Sequence, residues 1–356
     1  MFKEWLKGFK IIVLIVRFRN KLISIFLPYY PYNIDKQKLS NVVPCSEPIV
    51  AIGSMMRSGG NLLNRLLDGH IELRTYHSEL LFGVYSDFIN PKQPTLLSKF
   101  PIFDDLHKPR RIFQKLIRKE KALTKAAFKG FIKVKPPVSF IYKRRLHKKI
   151  FLEQCSKGVS NSRQIFDNYL TGFFNSYIDC QSLHGHKKFI TTYWPGFTLC
   201  EENVDRFFLA YPQGKIIHIF RSPYSWAGSA KKRDPERFNW QYMDQLWLAS
   251  TEIGIAWKQK HDQNFLCIDF DDLVVDTSKI MKTLSEKLDI EYSNSLIYPT
   301  FNRQAIAANS IHIENQKKGI VSEVLTGYKK VISNEEIEII RKRYSKIFAE
   351  AKKLCL

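Results

Sequence analysis

The chain has 356 residues, 44% of them apolar and 13% aromatic, which is enough to bury a core and excludes disorder as the prevailing state. Its 56 lysines and arginines against 34 acids leave a net charge of +22, an excess that favours polyanionic partners: nucleic acid, acidic membrane, or ligands carrying phosphate or sulfate. The six cysteines (Cys45, Cys155, Cys180, Cys200, Cys267 and Cys355) form no C-x-x-C pair, and no run reaches the ~18 apolar residues of a membrane-spanning helix, so a zinc or redox motif and a membrane span are set aside.

In chain order, residues 1–44 read as a basic amphipathic segment with a linker, and 45–356 as the folded domain. Phe2, Trp5, Leu6, Phe9, Val13 and Val16 recur at helical spacing, with Lys3, Lys7, Lys10 and Arg17 largely opposite. Such a helix suits a membrane interface or the protein's own core, with a signal anchor as the lesser alternative; a secretory signal fits less well, because the apolar run is short, no small-residue cleavage site follows and basic residues flank it on both sides. The expectation is a cytoplasmic protein, peripheral at the inner face of a membrane through residues 1–27. Pro28, Pro31 and Pro44 mark the linker.

Pro48-Ile-Val-Ala-Ile-Gly53 reads as a buried strand and Gly59 to Leu67 as the helix after it. Lys215 to Phe220 and Phe265 to Phe270 are two further strands, each followed by a loop and a helical pattern. Parallel βαβ units are written this way, so the expected fold is α/β, a doubly wound central parallel sheet flanked by helices. Between Lys108 and Lys149 sixteen lysines and arginines face one acid, Glu120, and residues 100–150 read as a basic helical insertion. Its charges are either a solvated face or a surface that recruits an anionic substrate.

The first strand runs through Gly53-Ser54-Met55-Met56-Arg57-Ser58-Gly59-Gly60-Asn61 directly into a helix. A glycine-containing turn at a helix N-terminus aims several backbone N–H groups at one spot, and the helix dipole adds positive charge there. Arg57 supplies a full charge able to pair two hydrogen bonds with phosphate or sulfate oxygens. No Lys-Ser or Lys-Thr follows the glycines, which disfavours a kinase or ATPase.

This loop resembles the P-[RK]-S-G-T-T segment of the sulfotransferase family, with Met56 in place of the proline and Gly60 and Asn61 in place of the threonines. The stretch from Lys215 to Lys231 is similar to that family's 3′-phosphate-binding segment, with Arg221 at a strand end and Ser229 eight residues later. Cys267 to Leu273 resembles the Y-E-D-L strand, read as mainly architectural, and Lys317-Lys318-Gly319 the R-K-G turn. The resemblance implies a P-loop NTPase-like sulfotransferase fold and a PAPS-dependent enzyme moving a sulfuryl group from 3′-phosphoadenosine 5′-phosphosulfate (PAPS) to a hydroxyl acceptor. It implies nucleotide contacts from Arg57, Ser58, Gly59, Gly60, Asn61, Leu62, Arg221, Ser229, Lys317, Lys318 and Gly319, with no metal.

Sulfuryl transfer is an in-line displacement that needs charge neutralisation, here by Arg57, and a base for the acceptor proton. Glu79 is the first candidate for that base and His77 the second, sharing a face if the segment is extended; His70 reads as a turn residue. The family's K-T-P lysine has no firm counterpart, since Lys187 and Lys188 are displaced from Pro195. The expected acceptor is hydroxylated, an anionic glycan or a lipid-linked one. A non-catalytic polyanion- or nucleotide-binding protein of the same fold is the alternative, while nucleic acid is set aside because no zinc finger, RNP-like strand or recognition helix appears.

Overall fold

A computed structural model describes residues 38–80, 106–119, 131–132, 138–306 and 320–356. The segment 1–27 and the turn Lys317 to Gly319 lie outside the described residues. Contacts divide the chain into Met1–Val43 and Pro44–Leu356, and the second unit holds everything that follows.

Strand β1 (Ile49–Ile52) leads into helix α1 (Gly60–Leu67) and β2 (Leu73–Glu79). The insertion contributes α2 (Pro109–Lys119), a two-stranded antiparallel pair of β3 (Phe131–Ile132) and β4 (Val138–Ser139), and α3 (Arg144–Ser156). After α4 (Ser162–Ser176) come β5 (Phe189–Tyr193), α5 (Glu201–Ala210), β6 (Lys215–Phe220) and α6 (Pro223–Arg233). Helix α7 (Trp240–Met243) continues through a π-helical turn, Asp244–Leu248, into α8 (Ala249–Lys260). Strand β7 (Phe265–Asp269), α9 (Phe270–Val275) and α10 (Thr277–Leu288) precede a short hairpin of β8 (Thr300–Phe301) and β9 (Gln304–Ala305). Helices α11 (Glu323–Thr326) and α12 (Asn334–Lys352) close the chain.

The main sheet is parallel throughout, in the order β2-β5-β1-β6-β7. From β1 the chain goes first to one side and later to the other, so the crevice where the order reverses lies above β1. Helices cover both faces, which is why β1, β6 and β7 are almost wholly apolar and legible as strands. The flanking strands β2 and β5 carry arginine, histidine and threonines instead. The Thr75 and Thr191 hydroxyls satisfy each other at 2.8 Å, whereas the buried Thr192 hydroxyl has no partner.

Among its described residues, the basic insertion holds the helices α2 and α3 and the β3–β4 pair. Helix α2 buries Ile112, Phe113, Leu116 and Ile117 and exposes Arg110, Arg111 and Lys115. Phe113 packs on His147 and Phe151 of α3, whose Arg144, Arg145 and Lys149 point outward. His147 is held between the Tyr142 hydroxyl and the Tyr169 carbonyl, and burial pulls its pKa down to about 3, so it is a neutral core residue.

Candidate functional site

The turn after β1 is locked by its neighbours. The Trp226 indole donates to the Met56 carbonyl at 3.0 Å, and Arg221 Nη1 donates to the Arg57 carbonyl at 2.5 Å. These bonds hold Arg57 at φ 70°, a left-handed conformation costing a non-glycine residue roughly 1 kcal/mol. Gly59 has φ +98°, and a Cβ there would lie 2.2 Å from the Phe270 ring; a Cβ on Gly60 would lie 2.2 Å from the Tyr193 ring. Backbone and ring therefore approach as only glycine permits.

Gly59 is the N-cap of α1 and offers no side chain to the first turn, which also contains no acid. The amides of that turn, where Gly60, Asn61 and Leu62 stand, face the crevice with the positive end of the dipole behind them. Ser58, only 3% exposed, donates its amide to the Met55 carbonyl at 3.2 Å and tightens the turn.

Two arginines converge on the loop. Arg57 Nε donates to the Ser229 hydroxyl at 3.1 Å, and Arg221 Nε donates to the Ser225 hydroxyl at 3.0 Å. The Arg221 guanidinium lies over the Phe270 ring at 4.4 Å, and its carbonyl accepts the Trp247 indole at 2.9 Å from the π-helical turn. All of these partners are neutral. Neither guanidinium has a carboxylate in ion-pair range among the described residues, and Asp271 acts on Arg221 only at a distance. Burial lowers the Arg221 pKa to about 10 and, with Arg233 adding repulsion, lowers that of Arg57 as well. Both remain cations at neutral pH. Desolvated cations held only by neutral acceptors, hydroxyls and carbonyls, can receive an anion.

Glu79 ends β2, exposed at the mouth of the crevice beside Tyr193. Burial of its surroundings pushes its carboxyl above the ordinary glutamate range, against the pull of Arg65. The phenol of Tyr193 lies in electrostatic reach of both Glu79 and Arg57, and its own pKa is pushed up by burial and by Glu79. Sequence reasoning missed Tyr193, because β5 was not legible as a strand and a tyrosine in Thr-Thr-Tyr-Trp-Pro carries no motif.

The structure does not bring His77 to this cluster. A register shift in β2 places four residue steps, Thr75 to Glu79, against two on β5, Thr191 to Tyr193, so simple alternation fails there. His77 is 3% exposed, with Nε2 2.7 Å from Asp68 Oδ1 and Nδ1 3.3 Å from the Tyr177 hydroxyl. Asp68 also accepts from Thr300 at 2.7 Å and from the Arg303 amide at 2.8 Å. Burial works against that carboxylate, yet these contacts keep it below the usual range. His77 is a core residue tying α1 and β2 to the β8–β9 hairpin, not an open base. His70 does stand in a turn, its ring bonded to the Glu291 carbonyl at 2.6 Å.

Lys187 donates to the Ile71 carbonyl and Lys188 pairs with Glu72, both at the start of β5 and away from the crevice. The stretch from Cys267 to Leu273 is more than architectural, since its Phe270 ring packs against Gly59 and beneath Arg221. The six cysteines are free.

Among solved structures, the sulfotransferase domain of the Synechococcus PCC 7002 olefin synthase is 16% identical, covering 86% of this chain and 94% of that one with a TM-score of 0.52. The sulfotransferase domain from the curacin biosynthetic pathway is 15% identical, covering 84% and 98% with a TM-score of 0.46. Retinol dehydratase, solved with androsterone and the inactive cofactor PAP, is 12% identical, covering 91% and 87% with a TM-score of 0.36. No curated protein sequence matches the chain. The model of the sulfotransferase family matches residues 48–294, more than half the chain and every strand of the main sheet. With its P-loop-like α/β fold, the chain belongs to the sulfotransferase family.

Proposed function

We propose that the protein transfers a sulfuryl group from PAPS to a hydroxyl on a carbohydrate or glycolipid acceptor. The observation that carries this reading is the pair Arg57 and Arg221, desolvated, joined through the Arg57 carbonyl, and without a carboxylate partner among the described residues. Arg57, Ser58 and the first amides of α1 would hold the 5′-phosphosulfate, while Arg221 and Ser229 would hold the 3′-phosphate. Lys317, Lys318 and Gly319 keep that assignment from the resemblance alone, outside the described residues.

In the transfer, the acceptor oxygen forms a bond to sulfur as the bond from sulfur to the bridging oxygen of the 5′-phosphate breaks. The hydroxyl proton passes to the Glu79 carboxylate, and the products are the sulfated acceptor and adenosine 3′,5′-bisphosphate. Arg57 and the loop amides neutralise the charge that grows on the leaving oxygen, with no reorganisation required of a preformed loop. Because Glu79 must be ionised to accept the proton, its raised pKa means that turnover falls as pH drops through a value above 4.5.

The test is thermal unfolding with adenosine 3′,5′-bisphosphate. Wild type at 100 times Kd gains about 2.7 kcal/mol of stability and a raised Tm by mass action. Arg57→Ala and Arg221→Ala each abolish the gain. Full gains in both variants would remove the donor site. Bisphosphate binding without sulfuryl transfer to any hydroxylated extract of the source would favour the non-catalytic reading instead.

A further inference from the structure

A third arginine lies within electrostatic reach of Glu79. Arg65, in the second turn of α1, stacks its guanidinium over the Phe301 ring at 4.3 Å. Its Nη1 is buried with no hydrogen-bond partner. Asp68 and Glu79 attract it, but neither forms an ion pair with it. Asp68 is already committed to His77, Thr300 and the Arg303 amide, which leaves no oxygen without a partner. Glu79 ends β2 within electrostatic reach of Arg65, which pulls its carboxyl down, but the two are not ion-paired. Burial pulls the Arg65 pKa down to about 10, so the group stays charged at neutral pH. A desolvated guanidinium with an unused N–H and, among the described residues, no ion-paired carboxylate is destabilising to the free protein, and it is matched once a ligand brings a carboxylate, sulfate or phosphate.

We propose that Arg65 anchors an anionic group on the acceptor, so that the substrates are hydroxyl compounds carrying a carboxylate, sulfate or phosphate close to the reacting oxygen. This rests on the sulfuryl-transfer reading of the neighbouring loop and adds to it the acceptor class. Arg57 and Arg221 neutralise the donor at one end of α1; Arg65 takes the acceptor's charge beside Glu79, which receives the hydroxyl proton. The placement also sets orientation, because the anion is fixed at Arg65 while the alcohol points along the crevice towards Arg57.

The experiment compares wild type, Arg65→Met and Arg65→Lys, each saturated with adenosine 3′,5′-bisphosphate, against matched probes: glucuronate with glucose, and 4-hydroxyphenylacetate with its methyl ester. Wild type is expected to prefer the anionic member of each pair by about tenfold or more in binding, the scale of a charged hydrogen bond. Arg65→Met loses that preference, Arg65→Lys recovers part of it, and both keep the full bisphosphate shift. Arg65→Met without ligand is expected to melt at or above the wild-type Tm, since an unmatched buried charge has been removed. Equal binding of charged and neutral probes by wild type, a preference that survives in Arg65→Met, or a clear loss of stability in ligand-free Arg65→Met would each overturn the assignment to the acceptor. Absence of any bisphosphate shift in wild type would overturn the donor reading itself, a result distinct from the other three.

Discussion

The two sides of α1 treat charge in opposite ways. On the β6 and β7 side, Arg57 and Arg221 are held by serine hydroxyls, a backbone carbonyl and an aromatic ring, and no acid is brought close enough to pair with them. On the β2 side, the buried acid Asp68 is surrounded by donors from β2 and the β8–β9 hairpin until nothing is left to satisfy. Both arrangements are buried, but Asp68 is satisfied by the protein itself, whereas Arg57 and Arg221, like the Arg65 guanidinium next to Asp68, have no ion-paired carboxylate among the described residues. His77, bonded to Asp68, belongs to the groups that hold the fold; Glu79, exposed at the end of β2, is not tied into that network.

That division can be broken by substitution. The largest effect is expected from Glu79→Gln, which should lower kcat by about 10²–10⁴ while leaving the bisphosphate-induced Tm shift intact. The acid limb of the wild-type rate profile should vanish in the variant, and a fully active Glu79→Gln would remove this residue as the base. His77→Leu strikes the other side: it strips a partner from buried Asp68 and should cost about 3 kcal/mol in denaturant unfolding. Were His77 the base, that variant would instead lose turnover at undiminished stability. Tyr193→Phe is the smallest change, removing only a hydroxyl between Arg57 and Glu79. A roughly tenfold fall in kcat with unchanged nucleotide binding is expected, the scale of one neutral hydrogen bond; no fall would confine Tyr193 to packing over Gly60.

Arg57 and Arg221 drew attention because each sits where a strand runs into a helix; that Arg57 bonds to Ser229, inside the helix after β6, and Arg221 to the Arg57 carbonyl is seen only in the structure. The three strands β1, β6 and β7 were legible because both faces are covered by helices, so their residues are almost wholly apolar, with His218 the polar interruption in β6. Strands β2 and β5 were not, since Thr75 and Thr191 are satisfied only by each other, across strands far apart in the chain. The extended face imagined for His77 and Glu79 failed at a register shift whose cause is the pairing with β5, and no local pattern announces that.

Local sequence determined the anion-receiving turn, the order of strand, loop and helix around it, and the family, because these depend on residues adjacent in the chain and on backbone geometry that few residue types allow. Only the tertiary structure decided which charged groups are paired. Whether Asp68 meets His77, whether Arg65 Nη1 goes without a hydrogen-bond partner, and whether Tyr193 comes within electrostatic reach of Arg57 and Glu79 depend on which distant segments are packed together. The free energy of a buried charge is set by those neighbours rather than by the residue itself.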